Sequence, residues 1–191
     1  MPNLNDEFNT AKRIAAYENA TSLLAQRVSE IKMPAGFRAE YNMTDMVYRF
    51  RNALKNPDVR KSLLLSKYEA ERLRNARFSA GFCGITSYAW NHIFRMPDGR
   101  EIWQMKQTSG LGKSIGLPDH VWLEQITSGE VLDLTFDQFI DKSGTVMDFP
   151  YELGTPVSAN IVFNRGYIFG RHIGIDIEGI SIINALREQR E

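Results

Sequence analysis

The chain has 191 residues, 43% of them hydrophobic, with Lys+Arg and Asp+Glu balanced at 23 each. That length and apolar content suffice to close one core of ordinary density and exclude disorder as the default, while the charge balance gives no overall pull toward nucleic acid or an anionic membrane. A single cysteine excludes an intrachain disulfide and a cysteine-rich zinc site, and no apolar run approaches the roughly 20 residues that span a bilayer.

The start, Met1 to Glu7, is polar and acidic. It has no basic segment leading into an apolar one, so a standard secretory signal is not expected. The expected location is the cytoplasm, or another cell reached without a cleaved signal peptide. Residues from about 6 to 77 read as helical. Ala11, Ile14, Ala15, Leu23, Leu24 and Val28 recur at three- and four-residue steps. Pro34-Ala35-Gly36 ends this first helix, and Asn42-Met43-Thr44-Asp45 offers a capped restart into the stripe Met46, Val47, Phe50, Leu54. Asn56-Pro57-Asp58 punctuates again, with Pro57 suited to a first helical turn, before Leu63, Leu64, Leu65, Tyr68 and Leu73. The arginines and lysines between Arg49 and Arg77 are interrupted by Asp58, Glu69 and Glu71. They read as a solvated face, with docking of an acidic partner as the alternative.

Past residue 80 the pattern changes. A helix over about 83–95 carries Cys83 at its start. Met96-Pro97-Asp98-Gly99-Arg100 is a turn, with Pro presetting φ and Gly taking the left-handed position. Strand-like alternation follows in residues 102–106, then a glycine-rich loop from Ser109 to Pro118, and then a strand beginning at His120. Thr127-Ser128-Gly129-Glu130 reads as a hairpin turn into an Asp133 strand, and Thr135 to Ile140 as a short helix. From Thr155 to Ile183, β-branched and aromatic residues broken by Gly166, Gly170, Gly174 and Gly179 predict two or three strands, with a last helix from about 181. Helices first, then one helix against an antiparallel sheet, is the α+β class. The expected organisation is a helical N-terminal region, 1–78, packed on an α+β core, 79–191.

The residues that carry chemistry follow the same order. Cys83 lies in Gly81-Phe82-Cys83-Gly84. A lone cysteine is commonly inert packing. In a first helical turn, however, unpaired N–H groups and the positive end of the dipole favour an anion, and the two glycines leave room for a carbonyl to approach. Of the three histidines, His92 is excluded as a partner. Nine residues along the same regular helix, it sits roughly half a turn around the axis and about 13 Å away. His172, with Asp176 on the same expected strand face, is a rival whose plainer reading is a satisfied strand histidine. His120, at a strand edge, is the favoured general base.

Asp133 shares a sheet side with His120 if an even-membered loop joins their strands, and the register depends on where the turn is centred. A centre between Ile126 and Thr127 puts the two opposite each other. A tight turn on Ser128-Gly129 displaces them by four residues, about 13 Å. A six-residue connection or a bulge resolves that tension. Asp133 also reads as a structural cap on the turn after Leu134. Glu124 and Asp137 are the alternative orienters, and Gln138 is either an amide donor to an oxyanion or a surface glutamine.

At Gly81-x-Cys83-x-x-x-Ser87, His120-x-Trp122-x-Glu124 and Asp133-x-Thr135, the chain resembles the transglutaminase-like, papain-like cysteine hydrolase superfamily. The compact spacing is similar to that of bacterial toxin and effector domains that deamidate glutamine on host proteins. The resemblance covers about residues 79–140. It implies a catalytic helix packed on an antiparallel sheet, with Cys83 as nucleophile, His120 as base and acid, Asp133 as orienter and Gln138 as oxyanion donor. The hairpin is about two residues shorter than in many members of the superfamily.

Other patterns fail. Gly110-Leu111-Gly112-Lys113-Ser114 lacks the phosphate-loop spacing, because position 107 is Gln. A histidine-only metal site needs distant residues to converge, and the arginines and aromatics from Trp90 to Trp103 match no RNA-binding signature. The expectation is therefore a thiol-dependent amide hydrolase acting on a protein or peptide, with no metal or organic cofactor and neither nucleic acid nor membrane as partner. Glutamine deamidation, peptide cleavage and acyl transfer to an amine differ only in leaving group or acceptor, and all three stay open. The rival classes are a non-catalytic binding module with Cys83 buried, and a nucleic-acid surface on the basic helices.

Overall fold

The computed structural model describes residues 4–65, 78–108, 119–139, 148–157 and 164–188. The expected α+β order holds: helices come first, and a helix then packs on a four-stranded antiparallel sheet. Helix α1 spans Leu4–Glu30. Its buried stripe is Tyr17, Ala20, Thr21, Leu24, Ala25 and Val28, the three- and four-residue rhythm of one helix face. Ile14 and Leu23, read from the sequence as part of that stripe, are exposed instead. Gly36, at φ +83°, makes the turn out of the α1 region.

Helix α2, Met43–Lys55, starts where Asn42 Oδ1 accepts the Asp45 N–H at 3.0 Å. Asn56 ends α2 and opens α3, Pro57–Leu63, by accepting the Asp58 N–H at 2.9 Å, with Pro57 in the first turn. One residue thus closes one helix and caps the next, which the local sequence anticipates. The basic stretch is the expected solvated face only in part: Arg49 and Lys61 are exposed, and residues 66–77 lie outside the described residues. Arg51 and Arg60 are 0% and 1% exposed. Arg60 Nη1 donates to the carbonyls of Leu54 and Phe78. Tyr68 and Leu73 lie outside the described residues.

Helix α4, Cys83–Ile93, is buried at every position from Ile85 to Asn91. It lies on β1 (Trp103–Gln107) and β2 (Val121–Gln125) and contacts α5 (Asn164–His172) and α6 (Ile177–Glu188). With β3 (Val131–Leu132) and β4 (Thr155–Pro156), the sheet order is β3-β2-β1-β4. The Phe50 ring of α2 packs edge-on to Trp90 of α4 at 5.7 Å and to Phe169 of α5 at 5.0 Å. One apolar cluster runs from Tyr17 through Phe50 and Trp90 to Leu123 and Phe169, so the helices of 1–78 and the α+β part of 79–191 bury a common core. No helix among the described residues is long and apolar enough to cross a membrane.

The C-terminal part corrects the sequence reading. Residues 164–188 form α5 and α6 rather than strands, and among the described residues only β4 remains of the strands expected there. Gly166 and Gly170 are packing notches. A Cβ at Gly166 would stand 2.4 Å from the Tyr88 ring, and one at Gly170 would stand 2.7 Å from the Ile175 carbonyl. Glycines that let helices approach closely look the same in sequence as glycines that break strands.

Candidate active site

Cys83 is the first residue of α4 and is half-buried. The residues before it set its position. The Phe82 N–H donates to the Ser79 carbonyl at 3.0 Å, and Gly81 takes φ +83°, a conformation that strains any side chain. Phe82 is fully buried, and no side chain caps the helix there. The N-cap residue therefore offers the first-turn N–H groups at Cys83 and Gly84 no side-chain acceptor.

His120 immediately precedes β2 and is 2% exposed. Its backbone is locked to Thr108. The His120 N–H donates to Thr108 Oγ1 at 3.0 Å, and the Thr108 N–H donates to the His120 carbonyl at 3.1 Å. The imidazole Nε2 donates to Asp133 Oδ2 at 2.7 Å, and the Cys83 side chain lies near enough to the ring to favour its charged form. The ring lies parallel to Trp122 at 6.0 Å and is met edge-on by Phe139 at 4.7 Å and Phe149 at 5.0 Å.

Asp133 follows β3 and is 6% exposed. Its Oδ1 accepts from the Thr135 N–H (2.9 Å) and hydroxyl (3.1 Å). Its Oδ2 accepts from His120 and from the Tyr151 hydroxyl at 2.9 Å. One oxygen of this carboxylate thus caps the turn and the other holds the imidazole.

The register lies between the two cases the sequence allowed. Leu123 faces Leu132 and Glu124 faces Val131. The Gln125 N–H donates to the Glu130 carbonyl at 2.8 Å, so residues 126–129 form a four-residue loop with Gly129 at φ +72°. Asp133 is therefore a diagonal neighbour of His120 on the same sheet face, close enough for long side chains to meet. Neither a six-residue connection nor a bulge is needed.

Electrostatics follow from this burial. For His120, burial opposes the charged ring, but the charge and hydrogen bond of Asp133, helped by Cys83, outweigh it and raise the imidazole from 6.5 to about 10. For Asp133, burial opposes ionisation, yet the imidazolium, the Thr135 N–H and the Tyr151 hydroxyl hold its carboxyl below the ordinary value. Burial, then the neighbouring Asp133 charge, pushes the Tyr151 phenol far upward, so it remains a donor at every ordinary pH.

The other expected residues fall as follows. Gln138 sits on the 3₁₀ turn Phe136–Phe139, and its amide Nε2 is buried without a hydrogen-bond partner. The neighbouring Asp137 accepts from Ser79 Oγ, four residues before Cys83, so this turn and the Cys83 turn are adjacent. Asp137 also pairs with Arg51, and Glu124 pairs with Lys106 at 3.1 Å. Neither is the partner of His120. The His92 ring packs tilted against Tyr88 at 4.3 Å, and burial lowers its imidazole to about 4. His172 ends α5 rather than lying in a strand, 3.1 Å from the Ser62 hydroxyl. The loop 109–118 lies outside the described residues.

The sequence reading missed Tyr151, which comes from a 3₁₀ turn with no local signature, and the aromatic wall of Phe139 and Phe149. Thr135 was visible as an Asp-x-Thr turn. A cavity of about 320 Å3 lies behind the carboxylate, lined by Leu23, Arg27, Asp133, Phe139, Phe149 and Tyr151 among others, and Cys83 is not part of it. Among the described residues no three His, Cys, Asp or Glu side chains converge as a metal site. Comparison of the chain with protein-family models, curated proteins and solved structures finds no match.

Proposed function

We propose that this chain is a cysteine-dependent amide hydrolase acting on a protein or peptide, working through an acyl-enzyme on Cys83. The observation that carries the reading is the position of one imidazole. His120 lies beside Cys83 and is hydrogen-bonded to a fully satisfied buried carboxylate, Nε2 to Oδ2 at 2.7 Å. This is the nucleophile, base and orienter arrangement that acyl transfer requires.

The steps are as follows. The Cys83 thiolate attacks the carboxamide or peptide carbonyl carbon, and the carbonyl oxygen becomes an oxyanion. First-turn N–H groups of α4 and the unpartnered Gln138 amide are the donors available to it. The His120 imidazolium gives its proton to the leaving nitrogen as the C–N bond breaks, leaving a thioester. Neutral His120 then takes a proton from water, whose oxygen attacks the thioester, and the thiolate and acid separate. Asp133 stays ionised throughout and holds the ring in one tautomer, while the rings of Trp122, Phe139 and Phe149 keep water from the pair.

Ammonia as leaving group makes the reaction glutamine deamidation, a peptide amine makes it proteolysis, and an amine acceptor in place of water makes it acyl transfer. A resemblance to the transglutaminase-like, papain-like superfamily and to glutamine-deamidating effector domains fits the same chemistry. The partial exposure of Cys83 favours this reading over a binding module with an inert sulfur.

Mass spectrometry of candidate protein substrates, incubated with the wild-type chain or Cys83→Ser, tests it. A gain of about 1 Da on a glutamine, a chain break or an amine adduct, absent with Cys83→Ser, is expected. Identical products from both proteins would end the proposal.

A further inference from the structure

Behind the Cys83–His120 pair lies a buried ion pair that the steps above do not use. Arg51, on α2, is 0% exposed. Its Nη1 donates to Asp137 Oδ1 and, at 3.2 Å, to the Leu134 carbonyl, and its Nε donates to Thr21 Oγ1 at 3.0 Å. The guanidinium carbon stands 3.8 Å from the centre of the Tyr17 ring. Asp137 accepts the Ser79 hydroxyl proton on its other oxygen.

Two of these contacts land beside a member of the site. Leu134 directly follows Asp133, and Ser79 opens the turn that delivers Cys83, closed by the Phe82 N–H to Ser79 carbonyl bond at 3.0 Å. One guanidinium and one carboxylate therefore tie the segment bearing the orienting carboxylate to the turn bearing the thiol, and both to the N-terminal helices. Apolar residues of similar volume often replace a buried ion pair with no loss of stability. What such a pair supplies, when every donor and acceptor is used, is a fixed geometry.

We propose that Asp137 is a positioning residue of the thiol site: held by Arg51, it fixes through Ser79 the turn that presents Cys83 to His120. This rests on the reading of Cys83 as nucleophile. Among the described residues, the charged and titratable groups around the thiol and its partner are His120 and Asp133 from the sheet side, Tyr151 from the 3₁₀ turn Tyr151–Leu153, and the Arg51–Asp137 pair from the helical side.

Ser79→Ala removes the link to the turn while leaving the ion pair intact. The control is Asn91→Ala, which removes another buried polar contact on α4, the Asn91 amide to Glu101 at 3.1 Å, toward the far end of the helix. The rate of Cys83 alkylation by iodoacetamide is measured on the full chain across about pH 5–9, together with the melting temperature. Ser79→Ala is expected to slow alkylation at neutral pH by about tenfold and to move its rise to higher pH. Asn91→Ala is expected to lower the melting temperature and leave the profile in place. Asp137→Asn, which frees Arg51, is expected to shift the profile in the same direction and gives the same decision should Ser79→Ala not fold.

A Ser79→Ala profile equal to wild type, or an equal shift in Asn91→Ala, overturns the positioning role. A wild-type profile that His120→Ala leaves unchanged overturns the thiol reading itself, so the two failures are told apart.

Discussion

Asp133→Asn tests the electrostatics of the site most directly. The carboxylate accepts four hydrogen bonds: from His120 at 2.7 Å, Tyr151 at 2.9 Å, and the Thr135 N–H and hydroxyl at 2.9 and 3.1 Å. If the amide oxygen stays with Thr135, its NH2 faces two donors, the imidazole and the phenol. Leaving such a buried partner uncompensated costs about 3 kcal/mol of folding stability. The larger effect is on the ring. Raising His120 from 6.5 to about 10 corresponds to roughly 5 kcal/mol of preference for the imidazolium. Asp133 is the largest source of that preference, whereas the burial that opposes it remains in the variant.

The His120 midpoint should therefore fall from about 10 to its ordinary 6.5 or below. The ring would change from almost wholly charged to mostly neutral at weakly alkaline pH. The assay is an NMR titration of the His120 ring in wild type and Asp133→Asn, with Cys83 alkylation followed over the same range. A midpoint that stays near 10 in the variant, or an alkylation profile that does not move, would refute the account of how this pair is charged.

Turnover of any identified substrate should decline on the alkaline side only as His120 loses its proton near pH 10, because the leaving nitrogen needs that proton; a pH–rate profile checks this. Stability follows the same pair with opposite signs. The raised imidazole contributes fully below pH 6.5 and loses its contribution as pH rises through about 10. The lowered carboxyl contributes fully above its ordinary 3.8 and loses its contribution as pH falls through its folded value. The melting-temperature gap between wild type and Asp133→Asn should thus be widest between about pH 4 and 6.5 and narrow on both sides. Tyr151→Phe should keep the fold and cost about 1–3 kcal/mol in denaturant unfolding, since it removes one donor from a buried carboxylate. Gly166→Ala should cost about 1–3 kcal/mol by forcing a Cβ to 2.4 Å from the Tyr88 ring, and Phe50→Ala about 3–5 kcal/mol by emptying the junction of α2, α4 and α5.

The sequence by itself determined whatever depends on neighbours within a turn. The Asn42 and Asn56 caps, Pro57 in a first turn, Gly99 at φ +96° and the start of a helix at Cys83 are contacts or conformations spanning a few residues, so local chemistry decides them. For any even-membered loop it also put His120 and Asp133 on one sheet face, because strand side chains alternate with period two. Tertiary structure alone decided the rest. The four-residue loop 126–129 set the register that brings Nε2 within 2.7 Å of Oδ2. Arg51 is buried because Asp137, 86 positions away, receives it, and no local pattern separates such an arginine from its solvated neighbours. Tyr151 reaches Asp133 from an irregular segment. Gly166 and Gly170 mark close helix contacts rather than strand ends because Tyr88 and Ile177 occupy the space a side chain would need. Each of these depends on what packs against a residue from far along the chain, which local periodicity does not encode.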